Sequence, residues 1–385
     1  MLKILAIFGT RPEAIKMAPL VKELKRYPEV INCVVAVTAQ HREMLDQVLK
    51  LFELHPQYDL NIMCPEQSLF EITRRALTGL EKIIDQEKPD LVLVHGDTTT
   101  TFGAALAAFY LQIPVGHVEA GLRTRNKYSP FPEEINRHLA AVLTDLHFAP
   151  TAIAKRNLLA EGVPADQIFV TGNTVIDALL ATVKDAYYFR HPQLNRIDYK
   201  RKRVLLVTTH RRENLGDPLR SIYRAFREVL QAYPDVEIVF PVHRNPAVTN
   251  VAREELDNLE RVHLIEPMDY EPFVNLLRRS YLVLTDSGGL QEEAPALGKP
   301  VLVLRNTTER PEAVMAGTVR VIGTEQEVVT REMRRLLDNQ KHYRQMAEAV
   351  NPYGDGRACK RITQAILYSF GISQDPPDEY VTNIS

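Results

Sequence analysis

The sequence has no tryptophan, few cysteines and no apolar run long enough for a membrane-spanning helix. Such a helix needs about 20 consecutive apolar residues, and the apolar stretch Met1–Gly9 is too short even for a signal peptide. The three cysteines, Cys33, Cys64 and Cys359, are scattered and odd in number, so neither a disulfide framework nor a cysteine metal site is expected. We therefore expect a cytoplasmic protein without membrane association, whose first strand lies in Met1–Gly9.

The sequence also lacks an excess of charge of either sign. Lysine and arginine number 47, aspartate and glutamate 49, and the net charge is −2. This balance gives no support to a nucleic-acid or membrane-surface partner. An anionic ligand would need cations placed locally at its site. At 385 residues, with 45% hydrophobic and 25% charged residues, the chain has the composition of a globular protein and the length of two domains.

Short apolar runs alternate with helix-patterned segments in two successive series. Strands are predicted at Ile4–Phe8, Cys33–Thr38, Leu91–His95, Val115–Glu119, Leu146–Ala149 and Ile168–Val170, then at Val204–Thr208, Val236–Pro241, Val262–Ile265, Leu282–Thr285, Val301–Leu304 and Val319–Ile322. Helices between the early strands are predicted at Met44–Leu54, Ser68–Gln86, Thr99–Tyr110 and Glu133–Leu143. This alternation predicts an α/β fold of two Rossmann-like, doubly wound parallel-sheet domains, whose strand-end loops would face a central cleft.

The two series set the expected domain boundaries. An N-terminal Rossmann-like domain is predicted at 1–180, a linker at 181–202 and a C-terminal Rossmann-like domain at 203–356. The linker prediction depends on a stretch of aromatics and mixed charge around His191-Pro192. A last helix within 357–385 is expected to pack back on the first domain, and the final residues are expected to fray.

The segment Tyr281–Gly298 has the clearest pattern of a ligand site. An apolar strand ends at Asp286, turns through Ser287–Gly289 and opens a helix that carries Glu293. Glycines let the backbone approach a ligand closely, and the free amides at a helix start can bind a phosphate. An ordinary strand–turn–helix connection is the alternative. Arg310, after the next strand, adds a cation at the same sheet edge and favours a nucleotide diphosphate.

The first strand is followed by a loop that carries Arg11 and Lys16. Gly9 permits a tight turn, and Pro12 suits the first position of a helix. The second and third glycines of the dinucleotide fingerprint are missing, so a bound NAD is disfavoured and no cofactor is expected. A solvated charge is the alternative role for Arg11.

Three carboxylates, Asp97, Glu119 and Glu133, stand at strand ends or helix starts in the first half. Carboxyl ends of neighbouring parallel strands meet at one sheet edge, so these side chains are expected to converge. Crowded carboxylates raise one another's pKa, which would leave one group able to hold a proton and another able to accept one. Asp97 has an alternative role as the N-cap of the following helix.

A metal site is the alternative use of the same region, because His95 and Asp97, like His117 and Glu119, are two residues apart and share a strand face. Both histidines lie in apolar strands, where a hydrogen-bonded core histidine is the commoner outcome. We therefore expect no metal site.

The second half has basic residues at two strand ends, in His210–Asn214 and in His243-Arg244. His210 and Arg211 could neutralise a departing diphosphate, as could Arg310. Solvated surface charge is the alternative, and the strand-end positions favour a functional role.

Taken together, these motifs resemble the non-hydrolysing UDP-N-acetylglucosamine 2-epimerases, and the resemblance extends over nearly the whole chain. The motifs are Phe8-Gly-Thr-Arg-Pro-Glu13, His95-Gly-Asp97, Val118-Glu-Ala-Gly-Leu-Arg123, Pro132-Glu-Glu134, His210-Arg-Arg-Glu-Asn214, Thr285-Asp-Ser-Gly-Gly289 and Asn351-Pro-Tyr-Gly-Asp-Gly356. The resemblance implies a glycosyltransferase-B type fold and reversible interconversion of UDP-GlcNAc and UDP-ManNAc, without a cofactor, for cell-envelope polysaccharide synthesis. It also implies a homodimer.

The resemblance further implies roles for individual residues. By position, the substrate-binding residues are Arg11, Lys16, Asp97, Glu119, His210, Phe273, Ser287, Gly288, Gly289, Glu293 and Arg310. The implied catalytic residues are Asp97, Glu119, Glu133 and His210. A second UDP-GlcNAc as allosteric activator would contact Gln40, Glu133, Arg211 and His243. Glu43 and Glu66 depart from the family pattern, which has Gln and Arg there, and this departure concerns the activator site only.

Three other functions use similar features. A glycosyltransferase would need an acceptor site, for which the sequence has no obvious insert. A hydrolysing epimerase would release free ManNAc and UDP. A nucleotide-sugar sensor would need the Ser287–Glu293 segment but would not need the three carboxylates of the first half.

Overall fold

The computed structural model describes residues 1–39, 42–64 and 67–381, apart from the side chain of Glu43. The described chain divides into two compact units. The first unit is Met1–Ala181 with Tyr353–Val381, and the second unit is Thr182–Pro352. No helix in the described ranges combines the length and the apolar character needed to cross a bilayer.

The first unit contains, within its described residues, a seven-stranded parallel sheet in the order β3-β2-β1-β4-β5-β6-β7. The strands are β1 Leu2–Phe8, β2 Ile31–Val37, β3 Tyr58–Asp59, β4 Leu91–His95, β5 Val115–Val118, β6 Leu146–Ala149 and β7 Ile168–Val170. Most are continuous apolar runs, because parallel strands are covered by helices on both faces. The two-residue β3 was not predicted, since it has no apolar run.

The second unit, which is described throughout 182–352, contains a six-stranded parallel sheet in the order β10-β9-β8-β11-β12-β13. The strands are β8 Arg203–Thr208, β9 Val236–Pro241, β10 Val262–Ile265, β11 Leu282–Thr285, β12 Val301–Val303 and β13 Val319–Val321. The predicted fold class, two doubly wound parallel-sheet α/β domains, is confirmed. The strand order reverses between β1 and β4 and between β8 and β11, and ligands of such sheets bind at the carboxyl ends of these strands.

Helices connect the strands in both units. They are α1 Arg11–Leu24, α2 Arg42–Leu51, α3 Leu69–Glu87, α4 Thr99–Tyr110, α5 Glu133–Val142, α6 Ala152–Ala160, α7 Thr174–Thr182, α8 Pro192–Arg196, α9 Asp217–Ala232, α10 Pro246–Leu256, α11 Tyr270–Arg279, α12 Leu290–Ala296, α13 Pro311–Met315, α14 Gln326–Asp338, α15 Gln340–Ala347 and α16 Ala358–Ser369. Helix α16 packs against α1 in the first unit. Its first turn is held by Asp177 of α7, which accepts hydrogen bonds from the backbone N–H groups of Ala358 and Cys359.

The chain around residues 182–202 differs from the expected linker, since it lies in the second unit. The Lys184 N–H donates to Asn275 Oδ1 over 2.8 Å. Arg279 Nη2 donates to the Tyr187 carbonyl over 2.6 Å, and its guanidinium lies over the Phe189 ring. Side chains of α11 therefore bind this stretch to the second unit. Residues 353–356, expected in the C-terminal domain, lie in the first unit.

Two helix starts are defined by local sequence. Thr10 and Glu13 form a capping box at α1, and Pro12 occupies its first turn. Helix α4 is capped by Thr98, whose hydroxyl accepts a hydrogen bond from the Thr101 N–H over 3.2 Å. The alternative role of Asp97 as N-cap is therefore wrong, and its carboxylate is available for other contacts.

Candidate active site

Glu119 directly follows β5 and lies in an unusual backbone conformation. Its φ angle is +63°, in the left-handed region that non-glycine residues rarely adopt. Lys16 Nζ of α1 forms an ion pair with Glu119 Oε2. The Asn173 side chain, after β7, donates to the same oxygen over 2.9 Å. Such a conformation costs about 1–3 kcal/mol and clusters at functional sites, where neighbouring contacts maintain it.

Asp97 follows β4 and is bound to helix α5. Arg137 Nη2 forms an ion pair with Asp97 Oδ2, and Asn136 Nδ2 donates to the Asp97 carbonyl over 2.9 Å. Asp97 and Glu119 therefore each have a cationic partner from a helix. Between β4 and Asp97 lies Gly96, with φ +68°, where an added Cβ would lie 3.8 Å from Glu119 Oε1. The loop after β4 and the carboxylate after β5 are thus neighbours, as the sheet-edge argument predicts.

The two adjacent acids at the start of α5 have different surroundings. Glu134 is 1% exposed and accepts hydrogen bonds from the Thr124 and Arg125 backbone N–H groups. Burial alone would raise the pKa of Glu134, but these hydrogen bonds and Arg137 outweigh burial and lower the pKa. Glu134 therefore anchors the loop between β5 and α5 as a carboxylate. Glu133, at the first position of α5, is half-buried.

Three buried histidines lie on adjacent strands of the sheet next to this site. His117 of β5 pairs in register with His147 of β6, and His95 ends β4. Burial lowers the pKa of His95 and of His117 to about 4 and that of His147 to about 3. These side chains are therefore neutral near pH 7.

The sequence predicts that His95 and His117 are hydrogen-bonded core histidines, and only one of the two is. His117 Nε2 donates to the Gly96 carbonyl over 2.7 Å. Both ring nitrogens of His95 have no hydrogen-bond partner among the described residues, so the expectation of a hydrogen-bonded core histidine is wrong there. His95 Nε2 lies 3.8 Å from Glu119 Oε2. Across the described ranges, no group of three His, Cys, Asp or Glu side chains is arranged to hold a metal ion.

Glu13 connects the loop after β1 to the loop after β4. It is 2% exposed and accepts hydrogen bonds from the Gly9 and Thr10 backbone and from the Thr98 hydroxyl. Burial raises the pKa of Glu13 against these hydrogen bonds. Gly9 is required here, because a Cβ would lie 2.1 Å from Thr38 Oγ1. Arg11, at the first position of α1, is half-buried.

In the second unit, the predicted phosphate-binding turn lies between β11 and α12. Gly289 is the N-cap residue of α12, and an added Cβ would lie 3.8 Å from Glu293 Oε2. An added Cβ on Gly288 would lie 3.9 Å from Arg310 Cζ. Ser287, Gly288, Gly289, Glu293 and Arg310 are therefore brought together, as predicted. Arg310 also forms an ion pair with Glu292, and Glu293 accepts a hydrogen bond from the Tyr270 hydroxyl over 3.0 Å.

The predicted basic residues of β8 and β9 lie next to this turn. The His210 and His243 rings stack with centroids 5.8 Å apart and an interplanar angle of 25°. Arg211 Nε donates to the Asp286 carbonyl over 3.2 Å. Phe273 lies half-buried on α11. Gln40, Glu66 and the side chain of Glu43 lie outside the described residues.

Sequence reasoning assigned no role to four residues that hold the predicted ones. Glu13, Arg137, Asn173 and Asp286 each bind a predicted site residue or its loop. The available signal was a polar residue in the loop after a strand, as for Asn173 and Asp286, or in the first two turns of a helix, as for Glu13 and Arg137.

Known proteins of one family resemble this chain over most of its length. A sequence profile of the family described as UDP-N-acetylglucosamine 2-epimerase matches residues 22–367. The UDP-N-acetylglucosamine 2-epimerase of Bacillus subtilis is 55% identical, with 98% of each chain covered. The enzyme of that name from Salmonella typhimurium is 55% identical, with 97% of this chain and 100% of its own covered.

A solved structure also resembles this chain over most of its length. The UDP-GlcNAc 2-epimerase of Neisseria meningitidis, in a crystal structure bound to UDP-GlcNAc, is 51% identical and has a TM-score of 0.82. The alignment covers 95% of this chain and 100% of that one.

Proposed function

The chain belongs to the UDP-N-acetylglucosamine 2-epimerase family, and from that premise we propose that it reversibly converts UDP-GlcNAc into UDP-ManNAc by inversion at C2. The observation that carries this proposal is Glu119, a carboxylate in a left-handed backbone conformation that Lys16 and Asn173 hold in place. A half-buried carboxylate that is oriented in this way suits proton transfer at carbon.

The reaction requires elimination because C2 of the sugar has no adjacent carbonyl. Direct deprotonation would give a carbanion without an enolate to stabilise it. Loss of UDP from C1 builds positive character there and acidifies the C2 hydrogen. A base takes that proton, the C1–O bond breaks with its electron pair leaving on the diphosphate, and a C1–C2 double bond forms. The intermediate is 2-acetamidoglucal. Re-addition of UDP with a proton on the opposite face of C2 gives the epimer.

The residues of the first unit divide between proton transfer and positioning. Glu119 and Asp97 act in proton transfer, since both are carboxylates oriented by cationic partners. Glu133, half-buried at the start of α5, positions the sugar or stabilises charge at C1. Lys16 holds Glu119, and Arg11 contributes positive charge from the start of the same helix.

The residues of the second unit bind the nucleotide. The amides of Ser287, Gly288 and Gly289 at the α12 start and the guanidinium of Arg310 suit a diphosphate. Glu293 binds the ribose and Phe273 the base. His210, at the end of β8, stabilises the departing diphosphate.

The direct test is to incubate the purified protein with UDP-GlcNAc alone and to resolve the products by NMR. We expect a mixture of UDP-GlcNAc and UDP-ManNAc with no added cofactor or acceptor. Free ManNAc with UDP would indicate a hydrolysing epimerase instead. Turnover only with an added acceptor would indicate a glycosyltransferase, and binding without turnover a nucleotide-sugar sensor.

Family membership also supports proposals about assembly and regulation. We propose a homodimer, a cytoplasmic location and a place in cell-envelope polysaccharide synthesis. We also propose a second UDP-GlcNAc as activator at Gln40, Glu133, Arg211 and His243. The stacking of His243 on His210 supports a contact between the activator site and the active site. Sedimentation tests the dimer. An initial rate from UDP-ManNAc that rises on adding UDP-GlcNAc tests the activator.

A further inference from the structure

Asp286 directly follows β11 and precedes the glycine turn, and its side chain accepts hydrogen bonds from the loop after β8. It is 0% exposed. Its Oδ2 atom accepts hydrogen bonds from the backbone N–H groups of His210 and Arg211, each over 2.9 Å, and from Asn214 Nδ2 over 3.1 Å. Its Oδ1 atom lies 3.1 Å from His210 Nδ1. One buried side chain thus organises the loop after β8.

The charge of Asp286 follows from these contacts. Burial by itself would raise the pKa of Asp286, but the hydrogen bonds from His210 and Arg211 outweigh burial and lower the pKa. The group is therefore a carboxylate at neutral pH, which can only accept hydrogen bonds. His210 Nδ1 lies 3.1 Å from this carboxylate, which favours a proton on that nitrogen, because an unprotonated nitrogen would face an acceptor with no hydrogen between them.

The ring of His243, which stacks on His210, accepts a hydrogen bond at its own Nδ1 atom. His243 Nδ1 accepts a hydrogen bond from the Asn245 backbone N–H over 3.1 Å. An accepting nitrogen carries no proton, so the proton of neutral His243 is on Nε2. The contacts therefore favour different tautomers for the two rings, and His243 serves as an internal reference for His210.

We propose that Asp286 is a positioning residue for His210, holding its imidazole with the proton on Nδ1 so that Nε2 is the nitrogen presented to the diphosphate. Protonated at Nε2, the ring donates that proton to a diphosphate oxygen as the C1–O bond breaks, and the electron pair stays on Nε2. The proton returns to Nε2 on re-addition. The carboxylate compensates the charge of the protonated ring. The diphosphate assignment rests on the proposed function, whereas the tautomer assignment does not.

The tautomer can be measured in the wild-type protein without substrate. Long-range ¹H–¹⁵N correlation on ¹⁵N-histidine-labelled protein at alkaline pH distinguishes the two neutral forms. His210→Gln and His243→Gln variants assign the signals. We expect the Nδ1–H form for His210 and the Nε2–H form for His243. An Nε2–H form for His210 in the wild type would overturn the proposal whether or not the protein is active.

A variant pair separates this effect from general disruption of the loop. In Asp286→Asn, the amide oxygen still faces the backbone N–H groups, so its NH₂ group faces His210 Nδ1 and makes that atom an acceptor. We expect His210 to change to the Nε2–H form, and kcat to fall about a hundredfold or more with a smaller change in KM. Asn214→Ala removes a different donor from the same carboxylate and should keep the Nδ1–H form. A changed tautomer in Asn214→Ala, or an unchanged one in folded Asp286→Asn, contradicts the proposal. If Asp286→Asn does not fold, the wild-type spectrum decides.

Discussion

The side-chain amide of Asn173 donates a hydrogen bond to Glu119 Oε2 over 2.9 Å, and its backbone N–H donates to the Tyr353 carbonyl over 2.6 Å. Asn173 is 2% exposed, and these two hydrogen bonds fix both its side chain and its backbone. The backbone of Gly172 passes close to that of Gly354, since an added Cβ on Gly172 would lie 3.3 Å from the Gly354 Cα. The returning chain at Tyr353 therefore helps to orient the carboxylate after β5.

Replacing Asn173 with alanine should lower kcat by about ten- to a hundredfold, because a hydrogen bond to a charged group contributes roughly 1.5–3 kcal/mol. Binding of UDP should change little, because the nucleotide is assigned to the second unit. Steady-state kinetics with UDP-GlcNAc measures the first effect and calorimetry the second. Asn250→Ala, at an exposed position of α10, is the matched control. Full kcat in Asn173→Ala would remove this residue from the positioning of Glu119.

Glu119→Gln should lower kcat by about 10²- to 10⁴-fold, the usual contribution of a general acid or base. The amide keeps the size of the side chain but cannot accept the C2 proton. Calorimetry should give a UDP affinity close to that of the wild type, and Glu29→Gln at an exposed site should keep both properties. A Glu119→Gln enzyme with full turnover would exclude this residue from proton transfer.

Arg310→Gln should weaken UDP binding about tenfold or more, since it removes the charge-assisted contact that we propose Arg310 makes to the diphosphate. The matched control is Arg331→Gln, at an exposed position of α14. Titration calorimetry at two salt concentrations measures the affinity and its electrostatic part. Unchanged affinity in Arg310→Gln would place the diphosphate elsewhere.

The buried histidines should make stability depend on pH below neutrality. In the unfolded chain a histidine has a pKa of about 6.5, whereas the folded pKa is about 4 for His95 and His117 and about 3 for His147. The unfolded state therefore binds more protons as pH falls below 6.5, and the free energy of unfolding decreases. The contribution is fully present above pH 6.5 and is lost as pH falls toward each folded pKa, roughly 3 kcal/mol for His95 and for His117 and roughly 5 kcal/mol for His147.

Urea denaturation between pH 5 and 6.5 measures this slope before most carboxylates titrate. His117→Asn can still donate to the Gly96 carbonyl but cannot take up a proton. The slope of its free energy of unfolding against pH should therefore be smaller by the equivalent of up to about one bound proton. His55→Asn, at an exposed position, should keep the wild-type slope. An unchanged slope in His117→Asn would show that His117 is not kept neutral by burial.

Apolar runs predicted most strands because strands covered on both faces must be apolar. Val236–Pro241, Val262–Ile265 and Leu282–Thr285 have their predicted bounds. Strand β5 ends one residue early, at Val118, because Glu119 leaves the extended conformation. Nothing in the identity of a glutamate indicates a positive φ, so the sequence could not predict this.

Positive φ angles and contacts with distant residues also limited the prediction of helix ends and of the linker. Helix α2 ends at Leu51 instead of the predicted Leu54, and Glu53 has φ +53°. Residues 182–202 have the composition of a linker, yet Asn275 and Arg279 bind their backbone. Binding by distant side chains leaves no trace in local composition.

At the site, the sequence predicted residues but not their partners. Lys16 and Glu119 are 103 positions apart and Asp97 and Arg137 are 40 apart. Strand-end position identified Asp97 and Glu119, because the carboxyl ends of parallel strands share one edge. Which cation reaches which carboxylate depends on how the helices pack, and only the structure supplies that.

The most direct test of the elimination mechanism is to run the reaction in D₂O and observe C2 by NMR. Once the C2 proton has left to a carboxylate that exchanges with solvent, the proton returned to the opposite face comes from solvent. We expect UDP-ManNAc with deuterium at C2, accumulating at the rate of epimerisation. UDP-ManNAc that keeps the original C2 hydrogen would contradict it.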